Sequence, residues 1–491
     1  MTEVIVALDQ GTSSSRAIAF DHSGRVVCQA QQEFPQIYPA DGCVEHDPLA
    51  IWQSQLDCLK KVLSNSKITV KALGITNQRE TTLLWNKKDG KPIHNAIVWQ
   101  DRRTTTYCED LKTKGYEKLI NQKTGLLLDS YFSATKIVWL LENVEGAKQL
   151  AKNGDLAFGT VDSWLIWQLT GGKTHCTDIT NASRTMLFNI HQASWDDELL
   201  DLFQIPKSIL PKVVSNSELI ADTDPNVTGE SFPISGCAGD QHAALFGQMA
   251  ISRGMVKNTY GTGCFAMLNT GDEPISSQNK LLTTIAWRIK DQTTYALEGS
   301  VFVAGALIQW LRDELKFIDK AANIQSLAES VKDSSGVSIV PAFVGLGAPH
   351  WNPHARGLIC GLTRSTKPAH IARAALEAIA LQSLDLIETM RKDSGIEIKE
   401  LRVDGGASEN DLLMQLQADL IDGLVTRPTV LETTALGAAY FSGLAVGFWK
   451  NTDELKNLWR KDRNFAPKLD SDERDKIVDR WNHALRMANT N

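Results

Sequence analysis

Asp9-Gln10-Gly11-Thr12-Ser13-Ser14 puts an acid, a glycine and several hydroxyls on one tight turn. Such a turn can hold a phosphate and Mg²⁺, because backbone N–H groups and hydroxyls donate to phosphate oxygens and a carboxylate faces the metal. A plain polar hairpin would have the same composition. Gly261-Thr262-Gly263 is equally permissive: its glycines let the backbone approach an anion closely, and Thr262 adds a donor. With Ala266 it imitates a dinucleotide fingerprint, but here the glycines lead into a strand instead of a helix, so hydride transfer ranks low. Gly172-Lys173-Thr174 resembles the end of a P-loop, yet Trp167 stands where that motif needs a glycine, and a surface turn is expected.

Other segments carry the remaining polar chemistry. Gly239-Asp240-Gln241-His242 opens an apolar helix with a carboxylate at its start, which reads by residue type as an N-cap. Asn77-Gln78-Arg79-Glu80 follows the strand Ala72 to Thr76 and precedes Leu83-Leu84-Trp85, so it suits a solvated loop or a buried site that hydrogen-bonds hydroxyls. Leu401 to Asp404 runs as a strand into Gly405-Gly406-Ala407-Ser408-Glu409-Asn410 and then a helix. A flat base could lie against that corner, or it is a simple turn with Ser408 as cap. Trp99, Tyr131 and Phe265 read by default as core aromatics.

These residues need a scaffold, and the apolar patterning supplies one. Val4 to Leu8 is a continuous apolar run, as in a strand buried on both faces, and Ala17 to Phe20 follows the hydroxyl-rich turn. Gly254-Met255-Val256, the glycine turn and Cys264 to Leu268 repeat that order half a chain later, which predicts two related α/β domains, 1–247 and 248–491. Helical spacing marks Ala369 to Met390, Ser133 to Leu141 and Leu412 to Ile421. Thr434 to Trp449 is highly apolar, but glycines at 437, 443 and 447 interrupt it, and it falls short of the ~18 residues of a membrane span. A buried helix is expected.

The 491 residues carry a formal charge of −7 with no basic stretch, which argues against nucleic-acid and membrane-surface partners. Eight cysteines without a C-x-x-C pair suggest a reduced, cytoplasmic chain, and no signal-peptide core precedes the first strand.

Taken together, the segments resemble the glycerol kinase group of the FGGY carbohydrate kinases, within the actin, hexokinase and Hsp70-type ATPase superfamily. The resemblance runs over nearly the whole chain, through Ala7–Thr12, Gly74–Thr81, Ala96–Arg103, Thr180–Ile190, Ala238–Gln241, Lys257–Phe265, Tyr295–Gly299 and Arg402–Gly406. It implies two ribonuclease-H-like (actin-like ATPase) domains flanking a catalytic cleft, with the polyol held mainly by the first and adenosine by the second. By resemblance, Arg79, Glu80, Tyr131, Asp240 and Gln241 hydrogen-bond glycerol, and Trp99 and Phe265 pack on its carbons. Thr12, Ser13, Ser14, Arg16, Thr262, Gly305, Gln309, Gly406 and Asn410 line the ATP path, Asp9 lies near Mg²⁺, and Asp240 is the general base. A homo-oligomer, dimer or tetramer, is implied in the same way.

The chain departs from that pattern in places. Some relatives inhibited by fructose 1,6-bisphosphate carry a glycine- and arginine-bearing loop before the catalytic aspartate, where this chain has Asp222 to Ser231 with several acids. No histidine lies between His191 and His242 to match the regulatory histidine of other relatives, and His242 replaces a usual glutamine. The competing readings are another FGGY sugar or polyol kinase and, from a different class, an actin- or Hsp70-like ATPase switch.

Overall fold

The apolar run after Glu3 becomes β1 (Thr2–Gln10), buried from Val4 onward, which hairpins through Gly11 into antiparallel β2 (Ser14–Phe20) and β3 (Val26–Glu33). The computed structural model describes residues 1–352 and 354–489. Helix α1 (Pro48–Leu63) starts at Asp47, whose side chain accepts from the Leu49 N–H, and Pro48 takes the first turn where no N–H is needed. It leads to β4 (Ile68–Asn77), parallel to β1. A long excursion containing α2 (Ser133–Asn143) and the one-turn α3 (Ile179–Ala182) follows. The first lobe ends with β5 (Ser217–Asp222), β6 (Pro233–Gly239) parallel to β4, and α4 (Asp240–Gly247).

The second lobe repeats this plan. β7 (Val256–Tyr260) and β8 (Cys264–Gly271) form a hairpin around Gly261 to Gly263, and β9 (Leu282–Ile289) and β10 (Gln292–Val301) form another, with β10 antiparallel to β8. After α5 (Gly305–Asp313) and the long α6 (Pro368–Ser394) come β11 (Glu400–Asp404), α7 (Asp411–Ile421), β12 (Leu424–Pro428), α8 (Thr433–Ala445) and β13 (Lys461–Phe465). The orders β3-β2-β1-β4-β6 and β10-β8-β7-β11-β12 match in position and direction: three antiparallel strands, then two parallel ones. Each lobe is therefore a ribonuclease-H-like unit, as the family resemblance implies, and the duplication follows the repeated strand-turn-strand pattern. One pairing, Ser217 with Ile289, joins both into a 13-stranded sheet.

The apolar stretch around 434–449 does form a buried helix, α8, but its place is less obvious from its sequence. It lies against β1, β4 and β6 of the first lobe and crosses α4. Glycine makes the approach close enough: a Cβ on Gly437 would overlap the Ala243 carbonyl, and one on Gly247 the Thr433 carbonyl. Gly437→Ala is expected to cost ~1–3 kcal/mol by overpacking, seen as a lower thermal midpoint; an unchanged midpoint would mean that the crossing has slack. Among the described residues no helix is long and apolar enough to cross a membrane.

Candidate active site

Strand register sets Asp9 opposite Arg16, and their side chains meet at 2.6 Å. Arg16 also reaches Glu432, just ahead of α8, at 2.5 Å. Burial pushes the Asp9 carboxyl up, and the Arg16 charge opposes that shift. The Gly11 N–H donates to the Ser14 carbonyl at 2.9 Å, closing a turn in which Ser13 is exposed and Thr12 and Ser14 are half-buried.

The matching turn in the second lobe is sewn to the start of α5. Ala304 and Ala306 N–H groups donate to the Thr262 carbonyl at 2.8 and 3.1 Å, and the Gly305 N–H to the Gly261 carbonyl at 3.0 Å. A Cβ on Gly305 would stand 2.6 Å from that Gly261 oxygen, so a side chain there would force the turn apart. Thr262 and Gln309 are exposed beside it. At the third corner, Gly405 adopts φ +82° with Tyr260 packed behind it, and Gly406 is exposed. The cap of α7 is Asn410, whose Oδ1 accepts from the Leu413 N–H at 3.0 Å; Ser408, the cap in the simple-turn alternative, instead donates back to the Gly405 carbonyl at 2.6 Å.

Beyond β4 the chain turns sharply inward. The Gln78 N–H donates to the Gln10 carbonyl at 2.7 Å, and Glu80 takes a left-handed φ of 58°. A non-glycine residue held there costs ~1–3 kcal/mol and marks a position fixed by its surroundings. The solvated-loop alternative fails, because Arg79 and Glu80 are both buried. Arg79 donates through Nη1 and Nη2 to Glu298 at 2.6 and 2.8 Å, and its Nε lies 3.2 Å from Asp240 Oδ1. Arg184 donates to Glu80 at 2.6 Å and to Glu298 at 3.2 Å. Lys136 Nζ donates to the carbonyls of Tyr131 at 2.6 Å and Glu80 at 3.3 Å, and burial lowers its pKa to about 7.

Glu298, Arg184 and Lys136 were given no role by sequence reasoning. For Glu298 the signal was a charge inside an otherwise apolar strand, Tyr295-Ala-Leu-Glu298, and for Lys136 a charge within an apolar helix, but neither names a partner, and Arg184 sits in a polar turn that marks nothing.

Asp240 occupies the first turn of α4, and Gly239 takes the N-cap position, so the cap reading is corrected by one residue. Its Oδ1 accepts from the Gln241 N–H at 2.7 Å, and its side chain keeps 31% exposure beside buried Arg79. Burial raises the Asp240 carboxyl, while Arg79 pulls it down. Gln241 accepts from Lys257 Nζ, an amine that burial lowers to about 8. His242 faces inward, with Nε2 3.3 Å from Thr284 Oγ1 and, among the described residues, no hydrogen-bond partner at Nδ1. Burial holds its pKa well down, so it is neutral.

The aromatics are half-buried and gathered. The Trp99 indole N–H donates to Thr12 Oγ1 at 3.1 Å, with ring centroids 5.8 Å from Tyr131 and 6.5 Å from Phe265 of the other lobe. Trp99→Phe deletes that hydrogen bond and keeps an aromatic, though smaller, ring in the cluster. The loss of ~0.5–1.5 kcal/mol should raise both acceptor and nucleotide KM by about 2- to 12-fold; a change in neither would show that this bond links nothing functional.

Asp162, Asp178 and Cys237 bring ligand atoms within 4.8 Å of one another. Their oxygens are already engaged: Asp162 accepts from Thr177 at 2.7 Å, and Asp178 from the Thr180 N–H at 2.7 Å and from Asn216 at 2.9 Å. The cluster is a buried scaffold, and its Thr180 accepts from the Gly239 N–H at 2.9 Å, next to Asp240.

Profiles of the FGGY carbohydrate kinases match this chain over residues 4–247 for the N-terminal domain and 256–446 for the C-terminal domain. The chain belongs to the FGGY family of carbohydrate kinases. This FGGY kinase is 58% identical to a glycerol kinase of Paraburkholderia phytofirmans, across 99% of its own length and 98% of the relative's. The crystal structure of Plasmodium falciparum glycerol kinase with ADP matches at TM-score 0.95 and 37% identity, covering 99% of this chain and 98% of that one. Gluconate kinase from Lactobacillus acidophilus matches at TM-score 0.90 but 23% identity, over 100% and 98% of the two chains, a likeness of fold alone.

Proposed function

We propose that this FGGY kinase is a glycerol kinase, converting ATP and glycerol to ADP and sn-glycerol 3-phosphate. The observation that carries the reading is the Trp99, Tyr131 and Phe265 cluster, drawn from both lobes and tied to Thr12 of the phosphate turn by the Trp99 N–H. The wall suits a short carbon chain, and Arg79, Glu80, Asp240 and Gln241 offer the paired donors and acceptors that a neutral triol needs. Identity of 58% to a glycerol kinase along the whole chain supports the same substrate.

In this reading Asp240 takes the proton of the attacking hydroxyl as its oxygen bonds to the γ-phosphorus and ADP leaves. Thr12, Ser13, Ser14 and Thr262 donate to phosphate oxygens, and Gly305, Gln309, Gly406 and Asn410 hold the nucleotide. Asp9 would hold Mg²⁺ bound with ATP, and the charge of that ion would offset the charge building on the departing phosphate. Asp9 fits it: a hard oxygen ligand whose Oδ2 meets Arg16 while Oδ1, among the described residues, accepts no hydrogen bond. Eight free cysteines support a reduced, cytoplasmic setting, and the homo-oligomer remains part of the proposal by family resemblance.

A coupled ADP-release assay with glycerol, dihydroxyacetone, glyceraldehyde, erythritol and xylulose tests the assignment. Preference for a pentulose would make this another FGGY sugar kinase, and ATP turnover indifferent to all five would revive an ATPase switch. Fructose 1,6-bisphosphate is expected to leave the rate unchanged at low ionic strength. The segment Asp222 to Ser231 presents carboxylates, and the nearby Lys173 is already paired with Asp224 at 2.8 Å. Saturable inhibition well below millimolar would refute that.

A further inference from the structure

Glu298 belongs to β10 of the second lobe, yet both terminal nitrogens of Arg79, from the turn after β4 in the first lobe, close on its carboxylate. Arg184 adds a contact at 3.2 Å, and Glu298 and Arg184 have no exposed side-chain surface. Arg79 therefore stands between carboxylates. Its two-nitrogen fork faces Glu298, and Asp240 meets only Nε, at 3.2 Å.

The orientation of that fork matters for proton transfer. Bidentate guanidinium–carboxylate contacts are short, charge-assisted and geometrically exclusive. Burial disfavours the charge on Glu298, but Arg184 and Arg79 outweigh it and hold this carboxyl well below the usual carboxylate range. A carboxylate bound that way is a poor proton acceptor. Were the fork to turn, Asp240 would become one.

We propose that Glu298 is a positioning residue: by occupying the Arg79 fork from the opposite lobe, it keeps Asp240 free to accept the proton of the attacking hydroxyl. The proposal rests on the reading of Asp240 as base. Asp240 is faced by Arg79 from the β4 turn, Lys257 from β7 and Asp9 from β1. Glu298 is faced by Arg79, Arg184 and His242, and the same two arginines meet Glu80 and Tyr131.

The base works deprotonated, so turnover rises with pH through the Asp240 pKa. Removing the Glu298 charge returns Arg79 to Asp240, lowers that pKa, and moves the rising limb to lower pH with a weaker base. The test is the kcat–pH profile of Glu298→Gln, with KM for both substrates and the thermal midpoint. The limb should move down by about one pH unit, and the plateau kcat should fall ~10- to 100-fold. KM for ATP should stay within about threefold.

A purely structural Glu298 would lower the midpoint and leave the limb in place, and that result in folded Glu298→Gln protein overturns the proposal. Glu298→Asp keeps the charge but withdraws the carboxylate by one methylene, so its limb should shift the same way by less. If the glutamine variant does not fold, Glu298→Asp decides, and an unmoved limb overturns the proposal equally. Asp240→Asn separates the two ideas. Wild-type turnover in that protein sinks the base reading, whereas lost turnover together with unmoved limbs in the Glu298 variants sinks only the positioning role.

Discussion

Asp240→Asn is expected to fold and bind ATP as the native chain does while kcat falls ~10²- to 10⁴-fold, the span associated with loss of a general base. The amide is nearly isosteric, and its oxygen can still accept the Gln241 N–H that Asp240 accepts at 2.7 Å, so α4 should start as before. What disappears is the basic oxygen at the exposed rim of an otherwise buried charge network. If Asp240 served only the start of the helix, asparagine would serve nearly as well, and both midpoint and turnover would stay at their native values. Thermal midpoint, ATP affinity and kcat measured on one preparation separate these outcomes. Native turnover in a folded, ATP-binding variant would remove Asp240 from the mechanism.

Arg79→Ala should damage both stability and polyol recognition. It deletes the fork to Glu298 and the Nε contact to Asp240, leaving Arg184 alone against Glu80 and Glu298. Removing one partner of a buried ion pair costs ~3–5 kcal/mol, so the midpoint must drop. Loss of a charge-assisted hydrogen bond worth ~1.5–3 kcal/mol should also raise the glycerol KM by about 10- to 150-fold, with far less effect on the ATP KM. Glu80→Ala should act in the same direction, because it leaves the fully buried Arg184 without its 2.6 Å partner. Equal changes in the two KM values would place the pair outside the polyol site.

Local features of this chain are legible in its residues, and long-range ones are not. The hairpins around Gly11 and Gly261 follow from apolar runs broken by glycine and hydroxyls, signals contained within about twenty residues. The duplication could be read because both copies repeat the same local order. By contrast, Glu298 finds Arg79 across 219 positions, and nothing in the spacing of either residue announces the other. The resemblance picked out Arg79 and Glu80 but passed over the buried charges that orient them. Ser408 and Asp240 show a smaller limit: composition says that a helix begins nearby, but only backbone geometry says whether Gly239 or Asp240, Ser408 or Asn410, takes the cap. Helix α8 shows another, since a segment buried on nearly every side has no polar stripe to reveal which sheet it covers.

The position of α8 also bears on how the chain is made. Ile5, Ala7, Phe20, Ala72 and Ala238 of the first lobe share one apolar cluster with Ala435, Leu436, Tyr440 and Phe441 of α8. A ribosome that has finished α4 has therefore produced a sheet whose apolar face still lacks its cover, which lies almost two hundred codons downstream. At ~5–20 residues per second the nascent face waits on the order of ten to forty seconds before that cover is translated. The first lobe cannot bury that apolar face during its own synthesis, so the face stays uncovered by its native partner until α8 emerges.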